Sequence, residues 1–473
     1  MNDAATGATA QEIVIAMEDR MHKTRDRIES RVATMQSRIH RFPRGLRGIG
    51  DDGEDGHYIV PSVVAIGPYH HGLPHLQEME DVKHAAAYHF CSDAGRSTME
   101  VYERILSLAG DARHCYATDT DDEAVARLSD AELAAMLLLD GCFLLQYMIN
   151  SDAPMFFAGP NLPSGEAILK DMMLLENQIP WLVLDALTEF LSVDVRHQFV
   201  DDIGDTFFPK ERPGWMARMF QMTCRRIPAE TQFHSQSTIS YKPAHLLGLL
   251  RFSQSQLHSM PSQDRRYQGS SKAFHLMKNI LRHGRKKKVS SKALRSTSAV
   301  ELAQIGVKLT TSKATWLGDM TLRKNLFFGE LSLSPLFLND VTACWLVNMA
   351  ALEASTAWDS DGFVVSSYLS VLAMLMDREE DVHHLRAKGL LRSIFSNART
   401  MDFFKGLAQH LRLGGRQVIL LDQIESYKRS RPLRIFLHRR IYGSYKTMTI
   451  ASLFSIVGVL VGIFKTLLSK KQQ

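Results

Sequence analysis

Apolar positions recur along the chain mostly at helical spacing. Val14, Met21, Ile28 and Met35 stand seven residues apart, with Val32 and Ile39 beside them, and predict a helix over Gln11–His40. Arg25 and Arg31 interrupt a strict seam, so the expectation is a helix laid on the body rather than a short self-associating coil. Pro43 and the glycines from Gly45 to Gly56 end it. Ser129-x-x-Glu132 is a capping box, in which each side chain satisfies the other's free backbone N–H, and it opens the apolar helix Leu133–Ile149. Lys170–Gln178 reads as another helical run. Pro180 lacks an N–H, so that run kinks or stops before Trp181–Phe190. Further apolar runs lie at Leu246–Phe252, Ala343–Leu352, Val364–Met376 and Val418–Ile424. Gly306–Thr310 and Asn325–Leu333 alternate and carry Val, Leu and Phe, which predicts a small β-hairpin.

The last apolar run differs in kind. Thr447–Phe464 is 18 residues without a charge, and Thr466-Leu467-Leu468 extends it past Lys465. A helix rises 1.5 Å per residue, so about 20 residues cross a ~30 Å hydrocarbon core. The run is apolar all round and flanked by charge, which favours a span over a buried core helix. Seven basic residues lie between Lys428 and Lys446, against Lys465, Lys470 and Lys471 after the span. The positive-inside rule then puts the body in the cytosol, as in a tail-anchored protein of the plasma membrane or an endomembrane. Arg439, Arg440 and Lys446 are candidates for anionic lipid headgroups. Gly458 and Gly462 have the Gly-x-x-x-Gly spacing that permits close helix pairing and a homodimer.

The expected fold class is therefore mainly α: a large helical domain with a small β-hairpin and one C-terminal transmembrane helix. The expected units are an N-terminal helix (1–45), a first half of the body (46–264), a basic insertion (265–300), a second half (301–446) and the span (447–468).

Composition narrows this picture. The 473 residues are 45% hydrophobic and 23% charged, with a net charge of +5. These are globular values and exclude a disordered or collagenous chain. Cys91, Cys115, Cys142, Cys224 and Cys344 show no paired spacing, which argues for a reducing environment. The first residues lack a basic n-region and an apolar signal core, and no Asn-x-Ser/Thr sequon occurs. Arg265–Val300 carries 11 Lys/Arg and no Asp or Glu, peaking at Arg285–Lys288. A solvated basic loop is its first reading, a membrane-surface contact the second. Nucleic acid ranks last, because no aromatics interleave the peak.

Candidate chemistry is sparse. There is no Gly-x-Ser-x-Gly, His-Glu-x-x-His, Gly-Lys-Ser/Thr or Cys-x-x-Cys string. His57, His70, His71, His75, His84 and His89 fall close together, with Glu78, Glu80 and Asp81 near them. Imidazoles bind metals, which makes His70, His71 and His75 the metal candidates, yet no pair has ligand spacing. The preferred reading is that they hold a turn-rich loop, with no cofactor. Glu176, in Asp171–Pro180, is a candidate acid or base, set against a buried hydrogen-bond anchor.

Several strings together resemble the plant domain-of-unknown-function 247 family. They are Pro61-Ser62-Val63-Val64-Ala65-Ile66-Gly67-Pro68-Tyr69-His70-His71-Gly72, His75–Glu80, Asp140–Leu145, Asp171–Pro180 with its Glu176-Asn177-Gln178, Glu301–Lys308, Leu331–Thr342 and the closing apolar run. The resemblance covers roughly residues 39–468. It departs at Val82-Lys83-His84, where the family has a Lys-Trp-like pair. The resemblance implies a largely helical, membrane-anchored plant protein with no established enzymatic activity. Some grass members act in self-incompatibility with small secreted partners, a role that would favour exposure outside the cytosol. The expected function is thus non-enzymatic recognition or signalling through other proteins. The structural motif residues would be Pro61, Gly67, Pro68, Tyr69, His70, His71, Gly72, Glu176, Asn177, Gln178 and Pro180. The alternative is an enzyme of unknown class using His70, His71 or Glu176.

Overall fold

The computed structural model describes residues 10–47, 57–116, 123–149, 165–191, 242–255, 297–312, 316–325, 328–357, 359–432 and 435–436. The first half is a set of helices gathered on α6 (Asp130–Ile149). The Ser129–Glu132 capping box starts that helix, with Ser129 N–H donating to Glu132 Oε2 at 2.8 Å. Around it pack α2 (Glu78–Ala94), α3 (Thr98–Leu106), α4 (Ala109–His114) and α8 (Trp181–Thr188). A short α5 (Glu123–Ala126) precedes it and α7 (Gly165–Asp171) follows it.

The second half has the same logic around α11 (Asp340–Thr356), which Asn339 and Thr342 cap reciprocally. It is buried along nearly its whole length, from Val341 to Thr356. It packs on α7 and on α9 (Leu246–Ser255), and on α12 (Val364–Leu375) of its own half. The helices α13 (Glu379–Ala387), α14 (Asn397–His410) and α15 (Gly415–Ser430) complete the layer. A further helix, α10 (Ala299–Gln304), leads into strand β1. One hydrophobic core runs through both halves, from Phe42, Phe90 and Leu137 to Trp345, Tyr368 and Phe404.

The strands correct the expected hairpin. β1 (Val307–Thr311) pairs parallel with β3 (Gly329–Leu333), Val307 opposite Gly329. The antiparallel partner of β3 is β2 (Met320–Lys324), so the order is β1-β3-β2. β2 escapes the alternation rule because only Leu322 of its five residues is buried. A second, parallel pair joins β4 (Leu336–Leu338) to β5 (Leu391–Ser393).

The expectation of one C-terminal transmembrane helix is also corrected. Residues 447–468 lie outside the described residues, as do Arg439, Arg440, Lys446, Gly458 and Gly462. Among the described residues one helix has the length and apolarity to cross a membrane, α6, and 72% of its apolar stretch is buried inside the protein. Its Asp140 and Gln146 are paired with Lys83 and Asp93, as in a core helix. Most of the basic segment, 265–296, is likewise outside the described residues.

Two helical readings change. The Lys170–Gln178 run is helical only to Asp171, after which the chain turns. There the Asn177 and Gln178 side chains take up nearby backbone carbonyls and compete with the helical ladder. α1 (Ala10–Gln36) forms as expected, but among the described residues it meets the body at α11 and leaves Val14, Met17, Met21, Ile28 and Met35 exposed.

Candidate functional site

The two longest motif strings meet and form one buried polar network. Asp171, at the last turn of α7, accepts the backbone N–H groups of Ser62 (2.9 Å), Val63 (2.7 Å) and Val64 (3.1 Å). Asn177 continues the pairing. Its Oδ1 accepts Ile66 N–H at 2.7 Å, and its Nδ2 donates to the Val64 and Asp171 carbonyls. The segment Pro61–Gly67 has no strand partner, so these side chains satisfy a backbone that would otherwise be buried unpaired. Gly67 then donates its N–H to Asp140 on α6 at 2.7 Å.

Asp140 is fully buried and holds Lys83 of α2 at 2.7 Å, and Lys83 also reaches Glu80 at 2.7 Å. Burial opposes the Lys83 charge. Asp140 and Glu80 outweigh it and hold the ammonium above its ordinary range. Gln178 donates to the Met172, Leu174 and Asn177 carbonyls and accepts Leu247 N–H from α9 at 3.0 Å. Pro180, extended and buried, sets the start of α8.

Glu176 clamps the N-terminal strap. Its Oε1 accepts Phe42 N–H at 2.7 Å and its Oε2 accepts Arg41 at 2.9 Å, with Arg47 3.7 Å away. Arg41 lies over the Tyr69 ring, 3.7 Å from its centre, and Tyr69 meets Tyr116 edge-on. Tyr69 donates to the Ile39 carbonyl and Tyr116 to that of Gln178.

The three candidate metal ligands do not converge. His70 is buried, with Nε2 3.9 Å from Glu176 and no hydrogen-bond partner on that nitrogen. Burial, against the pull of Glu176, lowers its pKa to about 4, so it is neutral. His71 is exposed, and His75 bonds the Pro61 carbonyl at 3.1 Å. Among the described residues no group of three or more His, Cys, Asp or Glu is arranged to hold a metal ion.

The network reaches residues that carry no motif signal. Asn348 of α11 accepts Leu175 N–H at 2.8 Å and donates to the Tyr58 carbonyl at 3.1 Å. Trp345 donates to the Leu169 carbonyl. Glu353 accepts Val365 and Ser366 N–H at 2.9 Å each, capping α12, with Arg251 3.4 Å away. The partners of Asn348 and Trp345 lie far away in sequence and the backbone partners of Glu353 stand 12 and 13 residues on, so local spacing does not reveal them. Lys83 had one local cue, its three-residue spacing from Glu80.

These features define a helical body whose irregular segments are held by buried carboxylates and carboxamides. The chain belongs to the family described as a plant protein of unknown function, DUF247, which matches residues 39–461. It is similar to the UPF0481 protein At3g47200 of Arabidopsis thaliana, at 26% identity over 364 residues, 74% of this chain and 68% of that one. A putative UPF0481 protein of the same plant, At3g02645, is 22% identical over 411 residues, 75% of each chain. No solved structure matches.

Proposed function

We propose that the chain acts through protein–protein recognition rather than catalysis, as a rigid helical body that presents its surface to other proteins. One observation carries the reading: Glu176, the strongest acid–base candidate, uses both oxygens inside the fold, on Phe42 N–H and Arg41. A carboxylate so committed is a structural anchor. Capture of a small secreted partner, as in self-incompatibility, is one form the role would take.

A second reading, catalysis through His70 and Glu176, draws on the unpartnered His70 Nε2 facing the carboxylate 3.9 Å away. One experiment separates the two. The full chain, wild type and His70→Asn, is expressed in plant cells with a proximity-labelling tag. The recognition reading expects the same specific partners around both proteins. If wild type gathers no reproducible partner, and His70→Asn stays folded but no longer alters the cell's metabolite profile as wild type does, catalysis replaces recognition.

A further inference from the structure

Among the described residues, the helix α1 leaves an apolar face exposed. Val14, Met17, Met21, Ile28 and Met35 are each between 45% and 67% exposed. They fall within about 60° of one another around the helix axis, with Val32 among them and Thr24 about 20° to one side. From Val14 to Met35 the stripe is about 32 Å long at 1.5 Å per residue. A contiguous apolar stripe of that length on a globular protein marks an interaction surface. A shallow depression lies along it between Arg20, Met21, Thr24, Arg25, Ile28 and Glu29.

The two edges of the stripe differ in charge. One carries Arg20, Arg27 and Arg31, all exposed, and none of them has an acidic partner among the described residues. The other is mixed: Arg25 lies beside Asp26 (3.1 Å) and Glu29 (3.9 Å). Asp19 is on the far side, bound to Lys23 at 2.7 Å.

This asymmetry selects the occupant. A second copy fits poorly: an antiparallel pair sets the Arg edges against each other, and a parallel pair sets Arg20 of one copy towards Arg25 of the other. A lipid surface fits poorly too, because residues 10–36 carry five acidic residues against five Lys/Arg. We propose that this face of α1 docks an acidic amphipathic helix of another protein. Its apolar residues would follow the three-and-four spacing, and its Asp and Glu would meet Arg20, Arg27 and Arg31. The inference rests on the recognition reading and deepens it.

The test uses the full chain and two synthetic helical peptides with the same Leu/Ile seam. One carries Glu and the other Lys along the edge facing the arginines. Binding is followed by fluorescence anisotropy at two salt concentrations. The Glu peptide should bind saturably and more weakly as salt rises, and the Lys peptide should bind about tenfold or more weakly. The triple variant Arg20→Glu/Arg27→Glu/Arg31→Glu should reverse that order. Met21→Asp/Ile28→Asp should abolish both while leaving thermal unfolding unchanged, because those side chains meet solvent.

Equal binding of the two peptides, no binding of either, or dimerisation of the chain through α1 would overturn the proposal. Binding to anionic vesicles lost in the triple variant, with the Glu peptide inert, would overturn it in favour of lipid. If Met21→Asp/Ile28→Asp keeps the partners seen by proximity labelling, α1 is not the surface, although recognition stands. If no partners appear at all, it is the recognition reading that fails.

Discussion

Gly67 and Gln178 touch backbone to backbone: a Cβ added to Gly67 would stand 2.3 Å from the Gln178 carbonyl oxygen. The contact brings the two longest motif strings together, and Gly67 also has a φ of +77°. Two requirements therefore fall on one residue, an absent side chain and a left-handed backbone.

Gly67→Ala should cost more than about 3 kcal/mol of stability, from the clash and the backbone strain combined. Gly72 supplies the control. Its φ is +84° and a Cβ there meets nothing within 4 Å. Gly72→Ala should therefore cost about 1–2 kcal/mol, from backbone conformation alone. Urea denaturation of both variants checks the difference.

Asp171→Asn should destabilise by about 1–3 kcal/mol, because an uncharged amide oxygen in the place of Oδ2 accepts the three N–H groups more weakly and the amide nitrogen in the place of Oδ1 can no longer accept from Ser62 N–H and Oγ. Hydrogen exchange should localise the damage. The amides of Ser62–Val64 should lose protection before those of α6.

Lys83→Met should cost about 3–5 kcal/mol, since it removes the cation that opposes burial at Asp140, whose pKa burial already raises, and leaves that carboxyl buried with the Gly67 N–H. Adding Asp140→Asn should restore part of that loss, because the amide is uncharged and its oxygen still accepts from Gly67. Thermal unfolding of the single and double variants tests the recovery.

His70 sets an acid limit on stability. Its folded pKa is about 4 against 6.5 when unfolded, chiefly through burial, with Glu176 pulling up and Arg41 and His75 pushing down. For a lowered pKa the contribution is fully present above pH 6.5 and is lost as pH falls towards 4. The gap is worth about 3 kcal/mol. His70→Gln should show a shallower loss than wild type between those limits, measured by urea denaturation at pH 7, 5.5 and 4.5.

Much of the site was legible because its polar residues sit in compact strings. Asp171, Asn177 and Gln178 stand out as polar groups in apolar surroundings, and all three are buried hydrogen-bond anchors. The same residues misled the helix assignment: Leu174, Leu175 and Ile179 keep a helical rhythm, but Gln178 turns its amide onto the Met172 and Leu174 carbonyls. Asn348 was invisible, since a lone Asn in an apolar run has no local meaning until Leu175 is placed against it. α1 was visible as a helix but not in its exposure, because a seven-residue period is the same for a helix laid on a body and for one left bare. The parallel β1–β3 pair was hidden by β2, whose outward-facing Thr321, Arg323 and Lys324 disguise it.

The Asn348 amide has a consequence for how the protein is made. Its bonds to Leu175 and Tyr58 span 173 and 290 positions of the chain. At roughly 5–20 residues per second, Tyr58 leaves the synthesis site on the order of 15–60 s before Asn348 does. Throughout that interval the first half holds apolar helices and polar backbone with no lid over them. The bonds that Asn348 makes to Leu175 and Tyr58 therefore form only once the second half has been translated.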